Sequence, residues 1–180
     1  WNFTGQNLND ANFAFSTLAS ADFTDADLTQ ANFINATLTN ADFTNANLTN
    51  ADLGLATLTD VDLTDAIVNG ASFSDTTNTG FTEAKLAQTR GYQNMNLQRI
   101  ELAENQMSGW DFSGQNLSQS GILDADLTNA DFSDSTLIDA RIQQSDLSHA
   151  NLSNAVLVSA RLELSTLANT DFSGANLNGA

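Results

Sequence analysis

The sequence predicts a four-sided solenoid wound from coils of twenty residues. Two patterns predict it. A large apolar residue recurs at every fifth place with Ala two places before it, as in Ala41-Asp42-Phe43-Thr44-Asn45-Ala46-Asn47-Leu48-Thr49-Asn50-Ala51-Asp52-Leu53. Certain columns also recur every twenty residues: Thr17, Thr37 and Thr57 precede Leu18, Leu38 and Leu58, while Asp22, Asp42 and Asp62 precede Phe23, Phe43 and Leu63. A third feature agrees with both. The 180 residues contain no Pro, which suits a chain that must donate backbone hydrogen bonds on every coil.

A period of five fits neither ordinary element. On an α-helix, five residues rotate the side chain by about 500°, so the apolar positions would spiral around the axis. On a strand, an odd period would send successive large residues to opposite faces. Both conflicts vanish if the chain turns a corner every five residues. The large residue and the Ala before it then point inward and the other three point out. Four such edges make one coil, and each coil hydrogen-bonds to the next. Phe alternates with Leu from Phe3 to Leu38, so stacked coils of twenty place Phe on Phe and Leu on Leu.

Residues 1–75 form the first block. Phe3, Leu8, Phe13, Leu18, Phe23 and their successors up to Phe73 face inward, and Ala11, Ala21, Ala26, Ala31 and others hold the small partner positions. Residues 76–91 break the rule. Phe81 and Leu86 keep the spacing of five, but a short helix is the better reading: Thr82 caps it, Glu83 lies in its first turn, Arg90 lies at its end and Gly91 supplies a left-handed stop. Residues 92–180 form the second block, with Tyr92, Leu97, Leu102, Met107, Phe112 and successors up to Leu177 inward. The whole chain, 1–180, is read as a single solenoid domain.

A longer repeat lies above the short one. Trp1-Asn2-Phe3-Thr4-Gly5-Gln6-Asn7-Leu8 matches Trp110-Asp111-Phe112-Ser113-Gly114-Gln115-Asn116-Leu117, a separation of 109 residues. Duplication of that unit is expected, with the chain a piece of a longer parent in which a copy of 76–109 precedes Trp1.

These five-residue units resemble the pentapeptide-repeat family, whose motif centres on Leu or Phe preceded by Ala and by Asp or Asn. The resemblance covers nearly the whole chain. It implies an all-β fold, the right-handed quadrilateral parallel β-helix, here with a short helical or irregular interruption near 76–91.

Composition narrows the chemistry. The formal net charge is −17, with only Lys85, Arg90, Arg99, Arg141 and Arg161 as fixed cations. That is too few for a phosphate footprint, so direct nucleic-acid binding is not expected. No Cys is present, which removes disulfides and thiolate metal sites. No apolar run approaches the roughly twenty residues of a membrane span. His149 is the lone histidine and falls on an outward corner, with no Cys or second His beside it. No Ser or Thr is paired with a base. No catalytic residue, cofactor or metal is expected, and the chain reads as a non-enzyme. Asp25/Asp27, Asp60/Asp62 and Asp124/Asp126 offer oxygen pairs, but the motif supplies Asp at those places by itself. The Asn-x-Ser/Thr sequons are explained in the same way.

Outward apolar residues are more informative, because the motif does not ask for them. Phe15, Ile34 and Leu55 fall on one face in successive coils and form a candidate partner face. Ile138, Val156 and Val158 fall on another face. Asp22, Asp42 and Asp62 make one acidic column, and Asp111, Asp131 and Asp171 make a second.

The favoured function is a structural or protein-interaction scaffold with a protein partner. The alternative is an acidic DNA mimic, since some proteins of the family this chain resembles bind DNA gyrase by presenting an acidic rod. A lower alternative is an ice-binding surface, from the threonine pairs Thr37/Thr39 and Thr57/Thr59.

Overall fold

The computed structural model describes residues 1–180 and resolves into two compact units, Trp1–Asn94 and Met95–Ala180. Each is built from short parallel bridges between residues twenty apart, such as Asp22↔Asp42 and Asp42↔Asp62 in the first unit and Asp111↔Asp131 in the second. Twenty residues per coil and five per side give a right-handed quadrilateral β-helix.

The edge around Phe43 shows why five residues suffice. Asp42 donates its N–H to Ala21 in the coil before, and Phe43 donates to Asp62 in the coil after, both at 2.9 Å. Asn45 donates forward to Thr64 and Ala46 donates back to Phe43, again at 2.9 Å. Only the Thr44 N–H is left, and it donates to Asp42 Oδ1 at 2.8 Å. Every donor of the pentapeptide is therefore matched. Where Asp or Asn stands before the inward residue it serves the backbone, because its side chain satisfies the one amide that coil stacking leaves over.

The corner is a turn closed from Ala46 N–H to Phe43 C=O, with Asn45 at φ 59. Positive φ in the third place is the mark of a type II turn. The same geometry recurs two places after nearly every inward residue. Of the twenty-seven non-glycine residues at positive φ, fifteen are Asn or Asp, the side chains that tolerate this region best.

Inside the first unit the stacking is ring on ring. Phe3, Phe23 and Phe43 lie in one column with centroids 4.9 Å apart, and Phe13 and Phe33 in another at 5.0 Å. Neighbouring columns meet edge to face at 5.5–5.8 Å. These are favourable aromatic geometries, and the column spacing is set by the coil rise of about 4.8 Å. Ala at the partner position keeps the narrow interior free of overpacking.

The interruption holds a 3-10 turn at Thr77–Thr79, α1 at Glu83–Gln88 and α2 at Arg90–Gln93. Together they stand in for the coil that would follow residue 75. Leu58 and Asp65 donate backbone bonds to Thr79 and Gln88, and Arg90 donates to Ala66. Phe81 and Leu86 are fully buried, with Phe81 stacked on Phe73 at 4.5 Å. Both follow in register from small partner positions, so large side chains fill the interior where the chain stops turning as a square. Thr82 caps α1 through Lys85 N–H, as the sequence predicts.

Two expectations are corrected here. Gly91 is not a left-handed stop. Helix α1 ends earlier, at extended Thr89, whose hydroxyl at once caps α2 by accepting from Tyr92 N–H, and Gly91 lies inside α2. The left-handed glycine of this segment is Gly80, φ 111, where a Cβ would lie 2.5 Å from the Thr59 nitrogen. Tyr92 is likewise on α2 and not on an inward edge. In the second unit the first coil bridge is Asn96↔Asn116.

The second unit opens with large residues at the partner positions: Ile100, Asn105, Trp110 and Gln115 are all buried where Ala would be usual. Deeper in, Ser145 bridges coils, donating to Ile122 C=O at 2.9 Å and accepting from Ala125 N–H at 3.1 Å.

Candidate functional site

The corner residue is the most solvent-facing position of a coil and the costliest to fill with a bulky side chain. Holding a non-glycine residue in the left-handed region costs about 1–2 kcal/mol, and Asn or Asp recovers part of that through local hydrogen bonds. Exposing an apolar side chain there adds nothing to folding. The first unit nevertheless places Phe15 at φ 58 with 76% exposure and Leu55 at φ 59 with 48% exposure.

Ile34 completes the feature. It precedes corner residue Asn35, and its carbonyl accepts from Phe15 N–H at 2.9 Å. Beside the two large corners the neighbouring column is small, Ala14 and Gly54; beside the small corner Asn35 it is large, Ile34. The three apolar residues thus alternate between two columns and form one staggered strip. The structure brings together the three residues that sequence spacing grouped.

Asp22, Asp42 and Asp62 form a bridged ladder, and each uses Oδ1 to accept the amide two residues on, at 3.0, 2.8 and 2.9 Å. Asp111, Asp131 and Asp171 do the same with Ser113, Ser133 and Ser173, though Asn151 interrupts the column. One oxygen of each carboxylate is committed to the backbone, and the second oxygen of Asp22 accepts from the Thr4 hydroxyl at 2.9 Å. The amide and hydroxyl of Thr24, with the Thr4 hydroxyl, hold the Asp22 carboxyl below the ordinary aspartate range, and the Ser173 hydroxyl and amide do so for Asp171.

Ile138, Val156 and Val158 share a face of the second unit. Leu137 and Asp139 donate to the Val156 and Val158 carbonyls, which sets Ile138 beside Val158. Val156 and Val158 are half-buried, and Ile138 is exposed at 36%. Arg141 and Arg161 are bridged neighbours, and Arg141 is paired with Glu101, Nη2 to Oε1 at 2.9 Å. His149 occupies a corner at φ 62. No helix is long and apolar enough to cross a membrane.

Leu167 and Leu177, expected inward, are 40% and 42% exposed, and sequence reasoning also missed the exposure of Leu164 and Met95. Leu164 stands on a corner at φ 65 and is 85% exposed, and Met95 takes the left-handed exit from α2 at φ 53. For Leu164 the signal was available, a bulky residue two places after an inward one. For Met95 it was not, since the register there depends on where α2 ends.

A family model of pentapeptide repeats, in eight copies, matches residues 2–33, 21–60, 36–75, 96–134, 124–154 and 145–180. No curated protein matches significantly. Among solved structures, the chain is similar to HetL of the cyanobacterium Nostoc sp. strain PCC 7120, a pentapeptide repeat protein involved in heterocyst differentiation regulation. The identity is 24% over 99% of this chain and 78% of that one, with TM-score 0.44. It is similar to a pentapeptide repeat protein of the Arabidopsis thaliana thylakoid lumen at 26% identity, 84% and 71% coverage and TM-score 0.31. It also resembles QnrB1, a plasmid-mediated fluoroquinolone resistance protein, at 17% identity, 98% and 84% coverage and TM-score 0.23. The family matches leave out Trp1 and residues 76–95, and the chain belongs to the pentapeptide-repeat family.

Proposed function

We propose that this protein is a non-enzymatic interaction scaffold that meets a protein partner through the strip of Phe15, Ile34 and Leu55. The observation that carries the reading is the corner geometry of Phe15 and Leu55. Two large apolar side chains are held in water at backbone positions that Asn or Asp would fill at lower free energy. Folding gains nothing from either. A contact with another protein would recover the apolar area they expose. The interior is filled with packed side chains.

The test is site-directed crosslinking. A photoreactive phenylalanine analogue in place of Phe15 should give a discrete adduct in the cells that make the protein. The same group at Asn129, a corner of the second unit, should not. Equal labelling at both corners would remove the reading.

The acidic-mimic reading has one observation in its favour. The Asp22, Asp42 and Asp62 carboxylates are oriented by backbone bonds, so their charges are fixed in place. Their spacing of about 4.8 Å is looser than the 3.4 Å per charge along one DNA strand. Inhibition of gyrase supercoiling that disappears on changing all three to Asn would favour it over the scaffold.

A further inference from the structure

We infer that the Phe15–Ile34–Leu55 strip takes a basic amphipathic helix of the partner, laid along the direction in which the coils stack. This rests on the interaction reading above and names the chemistry of what binds.

Charge supplies the first argument. The first unit carries eleven acidic side chains and two basic ones. The two cations are turned away from the strip. Lys85 lines a cavity of about 350 Å³ with Asp60 and Asp62, and Arg90 Nη2 lies 3.5 Å from Asn45 Oδ1. Asn45 belongs to the corner diagonally opposite the one that holds Phe15 and Leu55, as the order of sides in each coil requires. Around the strip stand Asp75 in the same corner column, Asp52 on the adjoining side and Asp10 on the next corner, and the ladder positions between them are neutral. An apolar strip rimmed by one sign of charge selects a partner with an apolar stripe flanked by the other sign.

Dimensions supply the second. Phe15 and Leu55 are two coils apart, about 9.6 Å at the usual strand spacing, with Ile34 staggered between them. A helix presents three apolar side chains on one stripe at i, i+3 or i+4, and i+7, over about 10.5 Å. A strand presents same-side residues about 6.7 Å apart, which matches neither one coil nor two.

The probe is a fluorescent 18-residue peptide with Leu at helical spacing and Lys elsewhere, titrated into the full chain and followed by anisotropy. Two control peptides accompany it, one scrambled and one with Glu for Lys. Phe15→Asn with Leu55→Asn removes the strip, and Asp10→Asn with Asp52→Asn and Asp75→Asn removes the rim. Asn is the residue this backbone accepts most readily at all five places, so both variants should fold. The amphipathic Lys peptide should bind, and each variant should weaken it on the order of tenfold. The rim variant should also lower the salt dependence. Equal binding of the scrambled peptide, or unchanged affinity after loss of Phe15 and Leu55, would overturn the proposal in favour of charge alone. Binding of the Glu peptide as tight as that of the Lys peptide would overturn the basic partner and leave the interaction face standing. No binding of any peptide would also overturn it, and the crosslink at position 15 would then report on the interaction face separately.

Discussion

Glu101 reaches Arg141 across two coils and forty residues of sequence, Oε1 to Nη2 at 2.9 Å. The residue between them in the column is Gly121, bridged to both. A Cβ there would lie 1.7 Å from Glu101 Oε2, so the missing side chain is the channel through which the pair meets. Both side chains are partly solvated, at 32% and 46% exposure, which puts the coupling in the range of about 0.2–1 kcal/mol. A double-mutant cycle with Glu101→Gln and Arg141→Gln should show it in the native background. In Gly121→Ala the cycle should read zero, because the methyl displaces the flexible end of Glu101. Equal coupling in both backgrounds would show that the notch is irrelevant.

Phe33 is fully buried, stacked on Phe13 at 5.0 Å and set edge-on to Phe23 and Phe43 at 5.5 and 5.7 Å. Phe33→Ala should cost on the order of 3–5 kcal/mol in urea unfolding. The neighbouring rings are held in stacked columns by the coils, so the cavity has little room to collapse. A loss under about 1 kcal/mol would mean that the coils close over it.

Phe15→Asn and Leu55→Asn should each stabilise the protein by about 1 kcal/mol, because Asn suits the left-handed corner and neither residue contributes a core contact. Thermal melts decide this directly. A stabilised variant that has lost its partner is the signature of a residue kept for binding. A destabilised one would place these side chains in folding after all.

Acid should weaken the fold through its capping aspartates. The hydroxyl and amide of Thr29 hold the Asp27 carboxyl below the ordinary 3.8, and the Ser148 hydroxyl and amide do the same for Asp146. Asp22 and Asp171 are shifted in the same direction. A carboxyl lowered in the folded state contributes stability that is complete above its unfolded value and is lost as pH falls through the folded one. Glu101 has the opposite sign: burial raises it against the opposing pull of Arg141, so its contribution is greatest at low pH and is lost as pH rises through the raised value. Asp27→Asn keeps the turn bond without the titration. Its melting temperature should fall less than that of the parent between about pH 5 and pH 2.5. Parallel curves would remove the capping bond as the cause.

The repeat made most of the architecture legible. Phe at 3, 23 and 43 and Asp at 22, 42 and 62 state a period of twenty, and the structure stacks the phenylalanines and bridges the aspartates at that interval. The strip could be read as well, because Phe15 and Leu55 stand where the motif calls for a turn residue. The interruption was half legible. Thr82 announced a helix start, but the stop was misplaced at Gly91 because Thr89, a residue with no strong breaking tendency, ends one helix and caps the next.

What the sequence by itself determined was everything local and periodic: five residues to a side, four sides to a coil, the inward set, and the Asp or Asn whose side chain satisfies a leftover amide. Each follows from bonds within a pentapeptide or to its neighbour one period away. What only the tertiary structure decided was what joins residues at other separations. The Glu101–Arg141 pair through the Gly121 notch spans two periods. Phe81 and Leu86 fill the interior where the square coil stops, and Lys85 and Arg90 are placed away from the apolar strip. None of these is encoded in a period, because each depends on the space that the finished coils leave.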